Sequence, residues 1–244
     1  MPVGLGNEKL WLSATNDNTG TSTAFNDLSG QANNGTPVGG TLVVADTGEG
    51  GTYAYDIDSG SKGVSMASPV NGISVYTMSC WAKLDSQSSG EVFGGYRFSL
   101  TSSASISVSG QDRLRLFAIS DGQSVVSRTF LDPYAASTWY HCCAVLKQNG
   151  FDLYLDGSFV ASSVGPAYTG GSDNWSIGKG LAGNGALGLV DDARVYHREL
   201  TQAEITHLAS SRGVLGPPGG AAANYNPFRN AKYINKTYQI PRFG

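Results

Sequence analysis

The sequence is short of charge. Only 14% of its 244 residues are Asp, Glu, Lys or Arg, against about 25% in typical globular proteins, and the net charge is −3. Such a surface offers no electrostatic footprint for a nucleic-acid backbone. Cysteine is scarce too, with Cys80, Cys142 and Cys143 the only three. An odd count containing two neighbours does not make a disulfide framework. Adjacent residues of a strand point to opposite faces, so each thiol is expected to pack as a small hydrophobe. No apolar run reaches the roughly 18 residues of a membrane helix. The opening residues, Met1 to Glu8, lack the basic and apolar segments of a secretory signal. The expectation is a chain made in the cytoplasm that engages neither nucleic acid nor membrane.

Glycine is abundant, at 33 copies, and together with many Ser, Thr and Asn it marks frequent turns between short strands. A single all-β sandwich of this length is ordinary, because such domains run to about 200–250 residues. Strand-like runs bounded by turn residues fall at Gly40–Ala45, Gly63–Met66, Tyr76–Leu84, Glu91–Leu100, Ala104–Val108, Arg113–Ser120, Trp139–Gln148, Phe151–Leu155, Ser158–Ser163, Asn174–Gly178 and Gly188–Tyr196. Arg113 to Ala118 alternates polar and apolar, as a strand with one wet face must. Asp156-Gly157 supplies the positive φ values of a two-residue hairpin turn. One helix is expected after Leu200. Thr201 and Glu204 form a capping-box pattern, with Leu200 and Ile205 placed for a hydrophobic staple.

Beyond residue 214 the composition changes. A Gly/Pro linker at Gly216-Pro217-Pro218-Gly219-Gly220 precedes an aromatic tail. From Leu215 to Gly244 there are four basic residues and no acidic ones, which leaves 12 basic against 19 acidic in the rest. The chain therefore divides into a sandwich at 1–214 and a basic, aromatic arm at 215–244. Aromatics and Arg dominate interface energetics, so Tyr225, Phe228, Arg229, Lys232, Tyr233, Tyr238, Arg242 and Phe243 are the candidate docking residues.

Four segments in order carry a resemblance to a known family. They are Leu10-Trp11-Leu12 with Asn26-Asp27-Leu28-Ser29-Gly30, Tyr76 to Lys83 with a central Trp81, Trp139 to Val145 leading to Leu153-Tyr154-Leu155-Asp156-Gly157, and Leu189 to Tyr196 running into the Thr201–Glu204 helix. Together they resemble the laminin-G-like, concanavalin-A-like sandwich, in its bacterial and phage branch. The resemblance implies a two-sheet antiparallel jelly roll over roughly residues 8–212. Trp81 and Trp139 are then expected to fill the space between the sheets. Simple alternation puts Asp191, Ala193 and Val195 on one strand face, with Asp191 accepting loop N–H groups, since a buried carboxylate must be satisfied.

This fold also hosts glycoside hydrolases, which need two carboxylates about 5–9 Å apart. On this fold they typically stand as Glu-x-Asp-x-Glu, and Glu8, Glu49, Glu91, Glu199 and Glu204 are not so spaced. Gly178-Lys179-Gly180-Leu181-Ala182-Gly183 matches a dinucleotide fingerprint in letters, but a strand and not a helix is expected next. His141, His197 and His207 have no zinc spacing. No enzyme is expected. Relatives often bind Ca²⁺ at one rim, and Asp27, Asn33, Asn34, Asp56, Asp58 and Asp173 are loop residues able to supply hard oxygen ligands. Trp175 joins them as a candidate glycan contact. Two readings remain open. One is a bacteriophage virion surface component, a capsid decoration or tail protein, that docks on other virion proteins or its own copies. The other is a lectin-like carbohydrate-binding module, with Ca²⁺ as its candidate cofactor, on a virion or bacterial surface.

Overall fold

The computed structural model describes residues 8–17, 25–40, 42–57, 62–86, 88–95, 103–109, 112–120, 124–172, 174–179 and 185–214. Among the described residues, fifteen strands form two antiparallel sheets. The first holds β1 (Glu8–Leu12), β3 (Leu42–Ala45), β4 (Tyr53–Asp56), β6 (Tyr76–Leu84), β11 (Trp139–Lys147), β12 (Gly150–Leu155), β13 (Ser158–Val164) and β15 (Gly188–Tyr196). Its order is β13-β12-β11-β6-β15-β4-β3, with β1 also paired to β15. The second holds β2 (Thr36–Val38), β5 (Gly63–Met66), β7 (Gly90–Gly95), β8 (Ser103–Ser109), β9 (Arg113–Ser120), β10 (Ser124–Leu131) and β14 (Trp175–Ile177). Its order is β10-β9-β8-β7-β14-β5-β2.

The core lies between the sheets and is built by period-2 alternation. In β6, Tyr76, Met78, Cys80, Ala82 and Leu84 all join it, as Cys142, Ala144 and Leu146 do from β11. From the other sheet come Phe93, Ala104, Ile106, Val108, Leu114, Leu116 and Trp175. Each large apolar side chain so buried contributes about 1.5–3 kcal/mol. The adjacent cysteines separate as strand geometry requires, with Cys142 in this core and Cys143 in a second cluster on the outer face of the first sheet.

The expected local devices are present. Asp156 and Gly157 both have positive φ, 48° and 78°, at the β12–β13 turn. The C-terminal helix, Gln202–Leu208, carries both halves of the Thr201–Glu204 capping box. Leu200 and Ile205 share the cluster beneath the helix.

Two expectations are corrected. Trp81 and Trp139 do not lie between the sheets. They pack with Ala54 and Leu189 in a separate cluster, because Trp81 alternates out of phase with the core-facing Cys80 and Ala82. Nor does Asp191 share a face with Ala193 and Val195. The β15 ladder shifts register between Asp191 and Arg194, where Asp192 adopts φ 54°. The bulge leaves Val190, Ala193 and Val195 in the core and turns Asp191 toward Ser13, Ala14 and Thr15.

Candidate functional site

The two sheets present very different outer faces. In β8, Ala104, Ile106 and Val108 face the core, so Ser105 and Ser107 face outward. Register then carries Ser105 across the whole sheet. It stands opposite Phe117 and Gly94, and the row continues to Ser176, Ser65 and Thr36 on one side and Ser127 on the other. The row Ser127–Phe117–Ser105–Gly94–Ser176–Ser65–Thr36 crosses all seven strands, a span of about 29 Å at the usual strand spacing. Every member except Phe117 is small, and this line of small residues, buried at Ser105, Gly94 and Ser176, is termed the trough below. Gly94 is required there: at φ 141°, an added Cβ would sit 2.5 Å from the Ala104 carbonyl oxygen. Beside it runs a shorter row, Thr129–Arg115–Ser107–Glu91, which adds a guanidinium and a carboxylate.

The hydroxyls of Ser105 and Ser107 are covered, at 1% and 0% exposure, yet neither makes a hydrogen bond among the described residues. Buried polar groups in native proteins are nearly always bonded to protein or water. Leaving one unsatisfied costs about 1–3 kcal/mol. Ser176, in the same row, donates to the Lys179 carbonyl at 2.5 Å. This face thus carries two hydroxyls unbonded among the described residues, with Arg115 and Glu91 flanking Ser107 and Phe117 beside Ser105. That is the chemistry that recognises another row of hydroxyls.

The outer face of the eight-stranded sheet is charged and closed. Arg194 is fully buried, donates to both Asp192 oxygens and stacks 4.2 Å over the Trp11 ring. Trp11 Nε1 donates to Asp192 at 2.5 Å, and Tyr196 donates to Glu8 at 2.9 Å. Arg212, also buried, donates to the carbonyls of Asp46, Gly48 and Tyr53 and stacks 4.0 Å over Trp139. Burial outweighs the nearby Arg194 and pushes the Glu8 carboxyl up to about 7. It likewise raises Asp191 to about 6 and lowers His141 to about 3, so the imidazole stays neutral. Asp191 accepts from Ser13, Ala14, Thr15 and its neighbour's N–H, the acceptor role expected of it.

The described residues among those proposed for a rim site are held in separate local contacts. Asp27, Asn33 and Asn34 form a loop knot. The Asp27 carboxylate accepts the N–H groups of Trp11, Ser29 and Asn33, Asn34 accepts from Asp27 N–H, and Asn33 donates to Lys9. Such a ring of donors favours the carboxylate where it is and repels a cation, so these residues do not fit Ca²⁺. Asp56 instead pairs with Lys62 at 3.0 Å. Among the described residues no group of three or more His, Cys, Asp or Glu is placed to hold a metal ion. Trp175 is a core residue, 2% exposed, edge-on to Phe93 and Tyr76, and is corrected as a glycan contact. Its strand pairs on both sides, which buries the ring between the sheets. Asp58 and Asp173 lie outside the described residues, as do all the arm candidates: Tyr225, Phe228, Arg229, Lys232, Tyr233, Tyr238, Arg242 and Phe243.

Sequence reading missed the hydroxyl row and the charged layer. The row had a signal, since Ser103-Ala104-Ser105-Ile106-Ser107-Val108-Ser109 alternates strictly. The charged layer depends on pairing between residues nearly 190 positions apart, as Glu8 with Tyr196, and has no local signal.

Comparison with known proteins agrees with this architecture. The model of the Laminin_G_3 family, of the concanavalin A-like lectin/glucanases superfamily, matches residues 58–206, and the chain belongs to that family. No curated protein sequence matches it. Among solved structures it is similar to domain 4 of AbnA, a GH43 extracellular arabinanase from Geobacillus stearothermophilus, in complex with arabinotriose. The TM-score is 0.64 and the identity 20%, over 83% of this chain and 99% of that one. It is also similar to the binding domain of Paraclostridial Mosquitocidal Protein 1, with a TM-score of 0.62 and 14% identity over 83% of this chain and 52% of that one. The receptor binding domain of botulinum neurotoxin C/D mosaic serotype gives 0.63 and 14% over 83% and 51%. The chain thus spans about half the length of the two toxin binding domains. At these identities the likeness shows the fold.

Proposed function

We propose that this chain is a non-catalytic carbohydrate-binding module whose ligand lies along the trough of the seven-stranded sheet. The observation that carries this reading is the pair of covered, unbonded hydroxyls of Ser105 and Ser107, set in a row of small hydroxyl-bearing residues that crosses seven strands. A glycan chain presents repeated hydroxyls along a line and matches such a floor. Phe117 and Arg115, both half-buried in these rows, are the side chains placed nearest to solvent beside the two serines. Hydrolysis would need a second carboxylate across the bond, and Glu91 is the one carboxylate in these two rows among the described residues. Domain 4 of AbnA, seen with arabinotriose, supports the reading and supplies a first probe. The module is read as Ca²⁺-independent, because the Asp27 carboxylate is already ringed by N–H donors.

The test is a glycan array that includes arabino-oligosaccharides, read with the full chain with and without a chelator. The result expected is a linear glycan bound equally in both conditions. Failure to bind any glycan, or binding that Phe117→Ala and Arg115→Ala leave unchanged, overturns the proposal.

The place of work proposed for the module is a bacteriophage virion surface, reached through the arm at 215–244. Its support is compositional, namely the run of aromatics and four basic residues without an acidic one. Replacing Tyr225, Phe228, Tyr233 and Phe243 by Ala in the full chain is expected to abolish association with the assembly while leaving glycan binding intact.

A further inference from the structure

Each sheet ends on two strands whose outer edges are unpaired among the described residues: β13 and β3 in the first, β10 and β2 in the second. A bare edge presents a row of N–H and C=O groups, and native proteins guard it by shortness, charge, proline or a bulge. Here β2 has three residues, one of them Pro37, β3 has four, and β10 carries the exposed Arg128. The β13 edge is different. Its seven residues, Ser158-Phe159-Val160-Ala161-Ser162-Ser163-Val164, hold neither a charge nor a proline. Its register slips once, between the Leu153–Ala161 and Tyr154–Phe159 pairs, and Ala161 to Val164 then pair without a break. The slip leaves Val160 40% exposed, so it adds apolar surface to the edge. Phe159 and Val164 are 55% and 89% exposed, and these three are the large hydrophobic residues so exposed among those described. Single exposed apolar residues are ordinary, whereas a group of them on one strand marks an interaction site. Phe151 and Leu153 of β12 face the core, so Tyr154 faces outward, and Phe159 opposite it packs on its ring at 5.7 Å. Val164, opposite Gly150, lies on the same outward face.

We infer that β13 is a self-association edge, and that its occupant is the β13 strand of a second copy of this chain, paired antiparallel about a twofold axis. The groups to be met are backbone donors and acceptors along an extended strand, so the partner is itself an extended strand. An antiparallel pair is its own complement under a twofold, which brings the Val164 end of each strand to the Phe159 end of the other. The charge pattern fits a copy. Paired with itself, β10 would set Arg128 near its duplicate, and like charges across a strand pair are destabilising. Self-pairing of β13 brings no like charges together. It joins the eight-stranded sheets of the two copies into one and covers the exposed apolar side chains. With a single strand from each copy at its centre, the interface is small, and a reversible dimer is expected. This inference is independent of the carbohydrate reading.

The experiment is sedimentation equilibrium of the full chain over a wide concentration range, beside two variants. Ser162→Lys/Val164→Lys puts two charges on the β13 edge at exposed positions, so the fold and its Tm are left as they are. Thr129→Lys puts one at an exposed position of the β10 edge and serves as the control. The parent is expected to shift with concentration from the mass of one chain toward that of two. The β13 lysines are expected to weaken this association at least tenfold at unchanged Tm, and Thr129→Lys to leave it within twofold. A parent that stays monomeric throughout, association that survives the β13 lysines, or association that Thr129→Lys weakens equally overturns the inference.

Discussion

The two outer faces of this sandwich bury different polar groups. On the eight-stranded sheet, charges are buried with their partners: Arg194 with Asp192 and Trp11, and Arg212 with Asp46 and Trp139. On the seven-stranded sheet, Ser105 and Ser107 are covered hydroxyls with no hydrogen-bond partner among the described residues, a state shared on the first sheet by Ser79, Trp81 Nε1 and His141 Nδ1. A satisfied network holds structure together, whereas an unsatisfied one stores a cost that a ligand can relieve. Substitutions on the first face should therefore change stability and leave binding alone. Those on the second should do the reverse.

The largest effect expected is from Arg194→Met. It strands Asp192 and Glu8 without their cation, and breaking a buried pair from one side costs about 3–5 kcal/mol. For a chain of this size that is a fall in Tm of roughly 10 °C, seen by thermal unfolding, while the glycan affinity of the folded fraction stays unchanged. A binding loss without a stability loss would break the division between the faces.

Next comes the pH dependence of Glu8. Its carboxyl is raised from 4.5 to about 7 in the fold, so the folded state holds the proton more tightly than the unfolded chain. The stability this gives is complete below about 4.5 and is lost as pH rises through 7. Glu8→Gln removes that dependence. The variant should match the parent near pH 4 and exceed it near pH 8 by about 3 kcal/mol. Equal stability at both pH values would show that Arg194 fully offsets the burial. His141 works in the other direction. Its imidazole is lowered from 6.5 to about 3, so its contribution is present above 6.5 and is lost as pH falls toward 3.

A smaller effect is expected at the loop knot. Asp27→Ala removes the acceptor of three N–H groups and should lower stability by about 2 kcal/mol. Added Ca²⁺ should change the Tm of neither form. A Ca²⁺-dependent rise in the parent, absent in the variant, would restore Asp27 as a metal ligand.

Much of this fold was legible because its signals are local. Tyr76–Leu84, Arg113–Ser120 and Gly188–Tyr196 were bounded correctly by alternation and flanking turn residues, and the Thr201–Glu204 box marked the helix start. Four strands were not bounded from pattern: Glu8–Leu12, Thr36–Val38, Tyr53–Asp56 and Ser124–Leu131. Short strands such as Thr36–Val38 carry too few residues to show a period, and Ser124–Leu131 mixes Ser, Arg and Thr with its apolar residues. The side of the sheet on which a large residue falls was also not legible. Trp81 looked like a core residue by size, but its parity with Ser79 and Lys83 places it outside. Asp191 was misassigned by a bulge that alternation cannot foresee. The trough was half legible, since the serines of β8 alternate in plain view while their alignment with Gly94, Ser176 and Ser65 exists only after the strands pair.

The smallest stability effect and the most informative binding effect meet in one variant. Ser105→Ala/Ser107→Ala removes two covered hydroxyls with no hydrogen-bond partner among the described residues, so Tm should stay constant or rise slightly. Calorimetric titration of this variant with the best glycan from the array tests the trough directly. The account predicts affinity weakened about tenfold or more, at about 0.5–1.5 kcal/mol for each lost hydrogen bond, with Tm unchanged. Undiminished affinity at unchanged Tm would contradict it and move the ligand off this face.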